Sequence, residues 1–261
     1  YYIYLNISKY IFLMDKNTQN TQNTKNTQGT VNFKRLLKDV KQIMKNPLTD
    51  NNIYYTHSET DMFKGHALLI GPPDTPYEDG FYFFEFNFTE EYPFVPPVVT
   101  YHTNDGITRF NPNLYRKGKV CLSILNTWRG EQWSSCQNIS TILLTLISIF
   151  NNNPLLNEPG YNDKSYWCRP YKHSIEFMNY KSAIINMITK KLLQPQFLIF
   201  YPIILNHFNN NKNKILERIK KQIGTEKDNK FVSLDVYHGM KTNISYSSLK
   251  NELELLIKEI N

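Results

Sequence analysis

The sequence predicts an α+β fold, an antiparallel sheet flanked by helices, with a further helical run towards its C-terminal end. Three observations carry that expectation. Apolar residues from Phe33 to Met44 recur at helical spacing, and the stretch from His66 to His102 sets apolar and aromatic runs between Gly/Pro-rich turns. From Ile139 onward, helical spacing returns and holds for most of the remaining chain.

The 261 residues suit one large domain or a domain of about 150 residues with an extension. Aromatic content is high at 14%, and Asn clusters, as at Asn151-Asn152-Asn153 and Asn209-Asn210-Asn211, read as compositional bias rather than function. The net charge of +7 is concentrated: residues 181–230 hold ten Lys/Arg against three Asp/Glu, a surplus of seven. Without a nucleic-acid motif this basic stretch reads first as a solvated helix face, and nucleic-acid binding is not expected. Three cysteines, Cys121, Cys136 and Cys168, are too few for a disulfide framework and lack the pairing of a zinc site, so a reducing compartment, cytosol or nucleus, fits best.

Taken in order, residues 1–30 form an expected disordered N-terminal segment. Tyr1 to Leu13 is too short for a membrane span and lacks a signal-peptide cleavage pattern, Met14 is a candidate start, and Asp15 to Thr30 repeats Asn-Thr-Gln with little apolar to bury. Residues 31–191 form the expected core. Its first helix carries Phe33, Leu36, Leu37, Val40, Ile43 and Met44 on one face and Lys34, Arg35, Lys38, Lys41 and Lys45 on the other, and Pro47 ends it. Strands are expected at His66–Ile70, Phe81–Phe88 and Pro97–His102. The turns between them are Gly71-Pro72-Pro73 through Gly80 and Tyr92-Pro93-Phe94-Val95-Pro96-Pro97. A buried helix with Asn138 or Ser140 as cap runs through Ile139 to Phe150, and Trp167 to Lys191 is helical again. Residues 192–261 form a basic helical extension: a helix from Tyr201 to Ile223, a variable linker from Thr225 to Asn243, and a terminal helix with Leu249, Leu253, Leu256, Ile257 and Ile260 at helical spacing, capped by Ser245 or Ser247.

The chemistry points to Phe110–Leu125. Asn111-Pro112 sets an extended or turn entry, and Gly118 permits a second tight bend, so Cys121 can return beside Asn113. That pairs a thiol nucleophile with an amide donor suited to an oxyanion, the parts of acyl transfer through a thioester.

This segment resembles the active site of the ubiquitin-conjugating enzymes, which carry His-Pro-Asn with the nucleophilic cysteine eight residues after the Asn. Here the tripeptide reads Asn111-Pro112-Asn113, followed by Cys121. It looks closest to the large, C-terminally extended members with Asn-Pro-Asn. Gly71-Pro72-Pro73…Pro76-Tyr77…Gly80 and Tyr92-Pro93-Phe94…Pro96-Pro97 match the same family, and the likeness covers Val31 to Lys191, more loosely the extension. It implies the ubiquitin-conjugating fold, a four-stranded antiparallel meander flanked by helices. The family's His is structural, so its replacement by Asn111 bears on local loop structure and not on the chemistry.

The resemblance implies Cys121 as carrier of ubiquitin or a ubiquitin-like modifier, and Asn113 as oxyanion donor or loop brace. By the same resemblance Glu158, in a loop about two residues longer than is usual for the family, is the candidate for the acidic residue beside the acceptor amine. Ser123 stands where many members have Asp. It also implies an activating enzyme docking on the first helix through Lys34, Arg35 and Lys38, and a ligase meeting Phe94, Trp133 and Ser134. Phe94 could equally lie in the core, and the lysines could simply face solvent. Thr127 to Gly130 is an insertion before Trp133. A substrate protein is the last partner implied; no metal, cofactor or membrane is, and Gly118-Lys119 followed by Val120 is not a phosphate-binding loop. Two rival readings remain: an inactive binding variant of the family that scaffolds ubiquitin or a partner enzyme, and a cysteine hydrolase, which would need His102 or His173 as base.

Overall fold

The computed structural model describes residues 27–260 apart from His238. The first 26 residues, and with them most of the expected N-terminal disordered segment, lie outside the described residues. Helix α1 spans Thr27–Lys45, starting ahead of the expected Val31 and so including residues 27–30 assigned to that segment. Leu36, Leu37, Val40 and Ile43 are buried along one stripe, while Lys34 and Lys38 are exposed.

Four strands follow: β1 Ile53–His57, β2 Lys64–Ile70, β3 Phe81–Asn87 and β4 Val98–Tyr101. They form one sheet in the order β1-β2-β3-β4. Consecutive neighbours joined by such short links can only pair antiparallel, because a parallel pair needs a crossover of a dozen or more residues. Sequence reading gave three of the strands and overlooked β1, although Ile53, Tyr55 and His57 alternate with half-exposed Tyr54 and Thr56. β3 is buried at Phe81, Tyr82, Phe83 and Phe84, as a strand covered on both faces should be.

The chain divides into two compact units. One gathers the segments up to Ala67, Glu85–Val99 and Leu122–Thr145; the other gathers Leu68–Phe84, Thr100–Cys121 and the chain from Leu146 onward. In the first, α1 packs on β1, and Tyr55, Phe86, Phe88 and Tyr92 form a chain of ring contacts. In the second, Tyr77, Tyr82, Phe110 and Phe150 form an aromatic cluster.

Helix α2 spans Ile139–Ser148; Asn138 caps it, its Oδ1 accepting from the Thr141 N–H. Helix α3, Cys168–Met178, runs on through a π-helical stretch, Asn179–Ile185, and a closing turn, Asn186–Ile188. The wide turn brings Asn179 against the Asp79-Gly80 bend. Its Oδ1 accepts from the Tyr82 hydroxyl at 2.6 Å and its Nδ2 donates to the Glu78 carbonyl at 2.9 Å. A Cβ at Gly80 would lie 1.9 Å from Asn179 Oδ1, so glycine is required there by close approach.

The extension is more than helices on a linker. Helix α4 spans Tyr201–Gln222 and α5 spans Tyr246–Ile260, but the segment expected to be a linker folds as a hairpin of β5, Lys230–Leu234, and β6, Met240–Ile244. The two strands pair antiparallel from Lys230↔Ile244 to Leu234↔Met240. The reason is visible in the burial: Val232 and Leu234 face in with Met240, Thr242 and Ile244, a period-2 pattern of half-polar strands. The hairpin packs on α3, and α5 packs on α4. Ion pairs tie the extension down: Arg218 to Glu78 and Asp79, His207 to Asp79, Lys227 to Glu176, and Lys181 to Glu252. Among the described residues, no helix is long and apolar enough to cross a membrane, and no cluster of three His, Cys, Asp or Glu could hold a metal.

Candidate active site

The Phe110–Cys121 loop closes on itself as its turn residues dictate. Gly118 has φ +90°, and a Cβ there would also meet Thr100 Cγ2 at 2.8 Å. The bend returns Cys121 to Asn113: the Cys121 N–H donates to the Asn113 carbonyl at 2.8 Å, and Asn113 Nδ2 donates to the Cys121 carbonyl at 2.6 Å. Cys121 is almost fully buried, with 2% of its surface exposed.

Asn111, fully buried, is the hub of the loop. Its Nδ2 donates to the Tyr77 hydroxyl and the Ile149 carbonyl, both at 2.9 Å. Its Oδ1 accepts from the Asn113 N–H at 3.0 Å and from Asn157 Nδ2 at 3.3 Å. Those four bonds use the whole capacity of an amide side chain. The Tyr77 hydroxyl in turn donates to the Phe110 carbonyl at 2.7 Å. With asparagine at this position the side chain itself is completely bonded within the fold.

Asn157 carries the connection onward. Its Nδ2 also donates to the Ile149 carbonyl, and its Oδ1 accepts from Asn151 Nδ2 at 3.0 Å. The chain reaches it through the short 3-10 turn Pro154–Asn157, so half-buried Glu158 is fixed in sequence beside the Asn111 network. Glu158 Oε2 accepts from the Tyr237 hydroxyl at 3.1 Å. Burial, and then the charge of Glu158, push the Tyr237 hydroxyl far above its ordinary value, so it stays a donor.

Arg109 was not foreseen. Its Nε and Nη2 donate to the Asn111 and Pro112 carbonyls, and its guanidinium lies 3.4 Å above the Tyr115 ring. Lys119 Nζ lies 5.8 Å from the same Tyr115 ring. Of the two histidines that a hydrolase would use, His102 is bonded elsewhere. His102 Nδ1 bonds Gln194 Oε1 and its ring lies against Phe197, while burial and then the nearby cations Lys227 and Arg169 hold His173 down at about 4.

The expected partner-contact residues lie in the other compact unit. Phe94 is 67% exposed, which removes the core reading of that residue. Trp133 is half-buried, its Nε1 donating to the Pro93 carbonyl at 2.6 Å and its ring against Tyr92, and Ser134 is exposed. Lys34 and Lys38 are exposed on α1. Arg35 is not a spare surface cation: Nε bridges both Asp39 oxygens, and its two terminal nitrogens donate to the Ser135 and Gln137 carbonyls at 2.7 and 2.8 Å. It fastens α1 to the segment after Trp133. In the inserted stretch, the Thr127 hydroxyl bonds both the N–H and the carbonyl of Leu122, at 2.9 and 3.1 Å.

Compared with known proteins, residues 35–177, more than half of the chain, match the family model described as ubiquitin-conjugating enzyme. The chain belongs to the ubiquitin-conjugating enzyme family. Human ubiquitin-conjugating enzyme E2 Z is 40% identical over 165 residues, which is 62% of this chain and 46% of the human protein. The zebrafish (Danio rerio) E2 Z is also 40% identical, over 63% of this chain and 50% of that protein. An Arabidopsis thaliana relative, probable ubiquitin-conjugating enzyme E2 23, is 37% identical over 71% of this chain and 17% of its own length. The chain thus spans about half the length of the E2 Z proteins it matches. Among solved structures, human ubiquitin-conjugating enzyme E2 G1 is 29% identical, covering 44% of this chain and 90% of that one at a TM-score of 0.39. The family match ends inside α3, so the hairpin and helices α4 and α5 lie beyond it.

Proposed function

We propose that this member of the ubiquitin-conjugating enzyme family accepts ubiquitin or a ubiquitin-like modifier from an activating enzyme as a thioester on Cys121 and passes it to a substrate lysine. The observation that carries the proposal is the double bond between Asn113 and Cys121, backbone one way and side chain the other. In the first step the Cys121 thiolate attacks the carbonyl carbon of the incoming thioester and expels the activating enzyme's thiolate. In the second, an acceptor amine attacks the new thioester, and Cys121 sulfur leaves as thiolate. Asn113 Nδ2 carries two hydrogens and spends one on the Cys121 carbonyl, which leaves one for the oxyanion of the second step. Glu158 takes the amine's proton; a free lysine amine titrates near ~10.4 and needs an acceptor at neutral pH.

Exposed Lys34 and Lys38 on α1 suit the activating enzyme, and exposed Phe94 and Ser134 suit a ligase, with Phe94 offering a compact apolar contact. The test is a charging assay with activating enzyme, modifier and ATP, resolved on non-reducing gels. Wild type and Cys136→Ser should give a thiol-sensitive adduct, and Cys121→Ser should give none. Folded wild-type protein that takes no modifier from any activating enzyme would overturn the proposal.

A further inference from the structure

The turn Asp235–Tyr237 at the tip of the β5–β6 hairpin places one residue of the extension against both loops of the candidate site. The Tyr237 hydroxyl donates to Glu158 Oε2 at 3.1 Å, and its carbonyl accepts from Arg116 Nη2 at 2.9 Å. Its ring lies 5.3 Å from the Arg109 guanidinium and 5.1 Å from the Tyr171 ring. Tyr171 closes the group, its hydroxyl donating to the Arg109 carbonyl at 2.6 Å. Tyr237 is 6% exposed, so its hydroxyl gives Glu158 a bond that water competes for weakly.

We propose that Tyr237 is a positioning residue for the acyl transfer: it holds the Glu158 carboxylate by one oxygen and the Cys121 loop through Arg116, so that the C-terminal extension completes the place where the acceptor amine is deprotonated. The inference rests on the reading of Cys121 as carrier and Glu158 as proton acceptor. With Oε2 engaged by Tyr237, Oε1 is left for the amine. In the step, the amine lone pair forms the C–N bond and its shed proton passes to the Glu158 carboxylate. The oxyanion's electrons re-form the carbonyl as the C–S bond breaks, and Cys121 departs as thiolate. A carboxylate free to swing would be misplaced by an ångström or more, and misplacement on that scale costs rate steeply.

The experiment follows single-turnover discharge of the charged full chain to free lysine, with lysine concentration varied. Tyr237→Phe removes the hydroxyl alone. It should lower the maximal discharge rate about tenfold with little change in the lysine concentration for half-maximal rate. In a Glu158→Gln background the same change should cost nothing further, since it acts through Glu158. Phe231→Ser, at a site 64% exposed on β5, should discharge as wild type. A Tyr237→Phe protein with wild-type rate, or with an undiminished loss in the Glu158→Gln background, would overturn this inference alone. A wild-type chain that takes no modifier overturns the proposed function and this inference together.

Discussion

Asn113 and Cys121 are bound to each other in both directions, the Cys121 N–H to the Asn113 carbonyl at 2.8 Å and Asn113 Nδ2 to the Cys121 carbonyl at 2.6 Å. The side-chain bond is the part that substitution can remove without touching the backbone. Asn113→Ala is therefore expected to leave the chain folded and to cut lysine discharge by about 10²–10³, the usual cost of losing an oxyanion donor. Charging should fall far less, because the incoming thioester is activated by another enzyme. Single-turnover rates of the two steps, measured on the same preparation, separate them. An equal loss in both would make Asn113 a brace for the loop only.

Asn111 has no such freedom. Replacing it by Ala strips partners from the Asn113 N–H, the Ile149 carbonyl and the Asn157 amide, all in or beside buried backbone. Asn157 keeps its second bond to the Ile149 carbonyl, which limits the damage. Each buried group left unsatisfied costs about 1–3 kcal/mol. A net loss of about 2–4 kcal/mol, or ~4–16 °C in Tm, should appear in thermal melts followed by circular dichroism. A melt unchanged within a degree would mean that the network reorganises freely.

How far the sequence could be read differs between these two residues. The return of Cys121 to Asn113 was legible because its cause is local: Pro112 and Gly118 restrict the backbone, and the spacing does the rest. The strands were legible where Gly and Pro bracket aromatic runs, and β1 was missed because Asn51-Asn52 and half-exposed Tyr54 blur its edges. Arg109, Asn157 and Tyr237 could not be found that way. Asn157 reaches Asn111 at 46 positions' separation, and Tyr237 reaches Glu158 at 79 and Arg116 at 121, while Arg109 bonds the nearby Asn111 and Pro112 carbonyls, backbone acceptors that no side-chain pattern marks. No periodicity records such pairings. The hairpin that brings Tyr237 in was passed over because its outward residues, Lys230, Phe231, Lys241 and Asn243, dilute a short apolar alternation. Arg35 shows the opposite error, a charge read as surface that the fold spends on Asp39 and two carbonyls.

Arg218 should decide whether helix α4 stays on the Glu78-Asp79 turn. Burial alone would raise the Asp79 carboxyl, but the bonds from His207 and Arg218 outweigh it and hold it below its usual range. A carboxyl depressed in the folded state stabilises above its unfolded pKa, near ~3.9, and loses that contribution as pH falls through the folded value. Arg218→Ala removes the cation that bridges Glu78 and Asp79 and leaves His207 alone on Asp79. Breaking a fully buried pair costs about 3–5 kcal/mol; here, with Arg218 still 26% exposed, about 2 kcal/mol is expected, or ~4–8 °C in Tm at neutral pH. The deficit should shrink below pH 4, where wild type loses the same interaction. A deficit that persists at pH 3 would place the effect of Arg218 in packing rather than charge.

His57 should make the protein sensitive to mild acid. It is 3% exposed, with Nδ1 2.7 Å from the Tyr55 hydroxyl and Nε2 2.9 Å from the Met62 carbonyl. The carbonyl can only accept, so Nε2 carries the proton, and Nδ1 takes one from Tyr55: the neutral ring is satisfied as it stands. Burial is the main reason that His57 is lowered to about 4, with His66 lowering it further and the Met62 carbonyl and Asp61 opposing. An unfolded histidine titrates near ~6.5. The unfolded state therefore gains a proton first as pH falls, and the stability due to a neutral His57 is present above about 6.5 and lost progressively down to about 4. At pH 5 the loss from this one residue is on the order of 2 kcal/mol. Urea unfolding at pH 7.5 and pH 5.0 measures it, with His57→Gln as the comparison because Gln can still donate and accept but does not titrate. Wild type should lose about 2 kcal/mol more than the variant between the two pH values. Equal losses would move the acid sensitivity to other groups, with buried His173, also lowered to about 4, the next to replace.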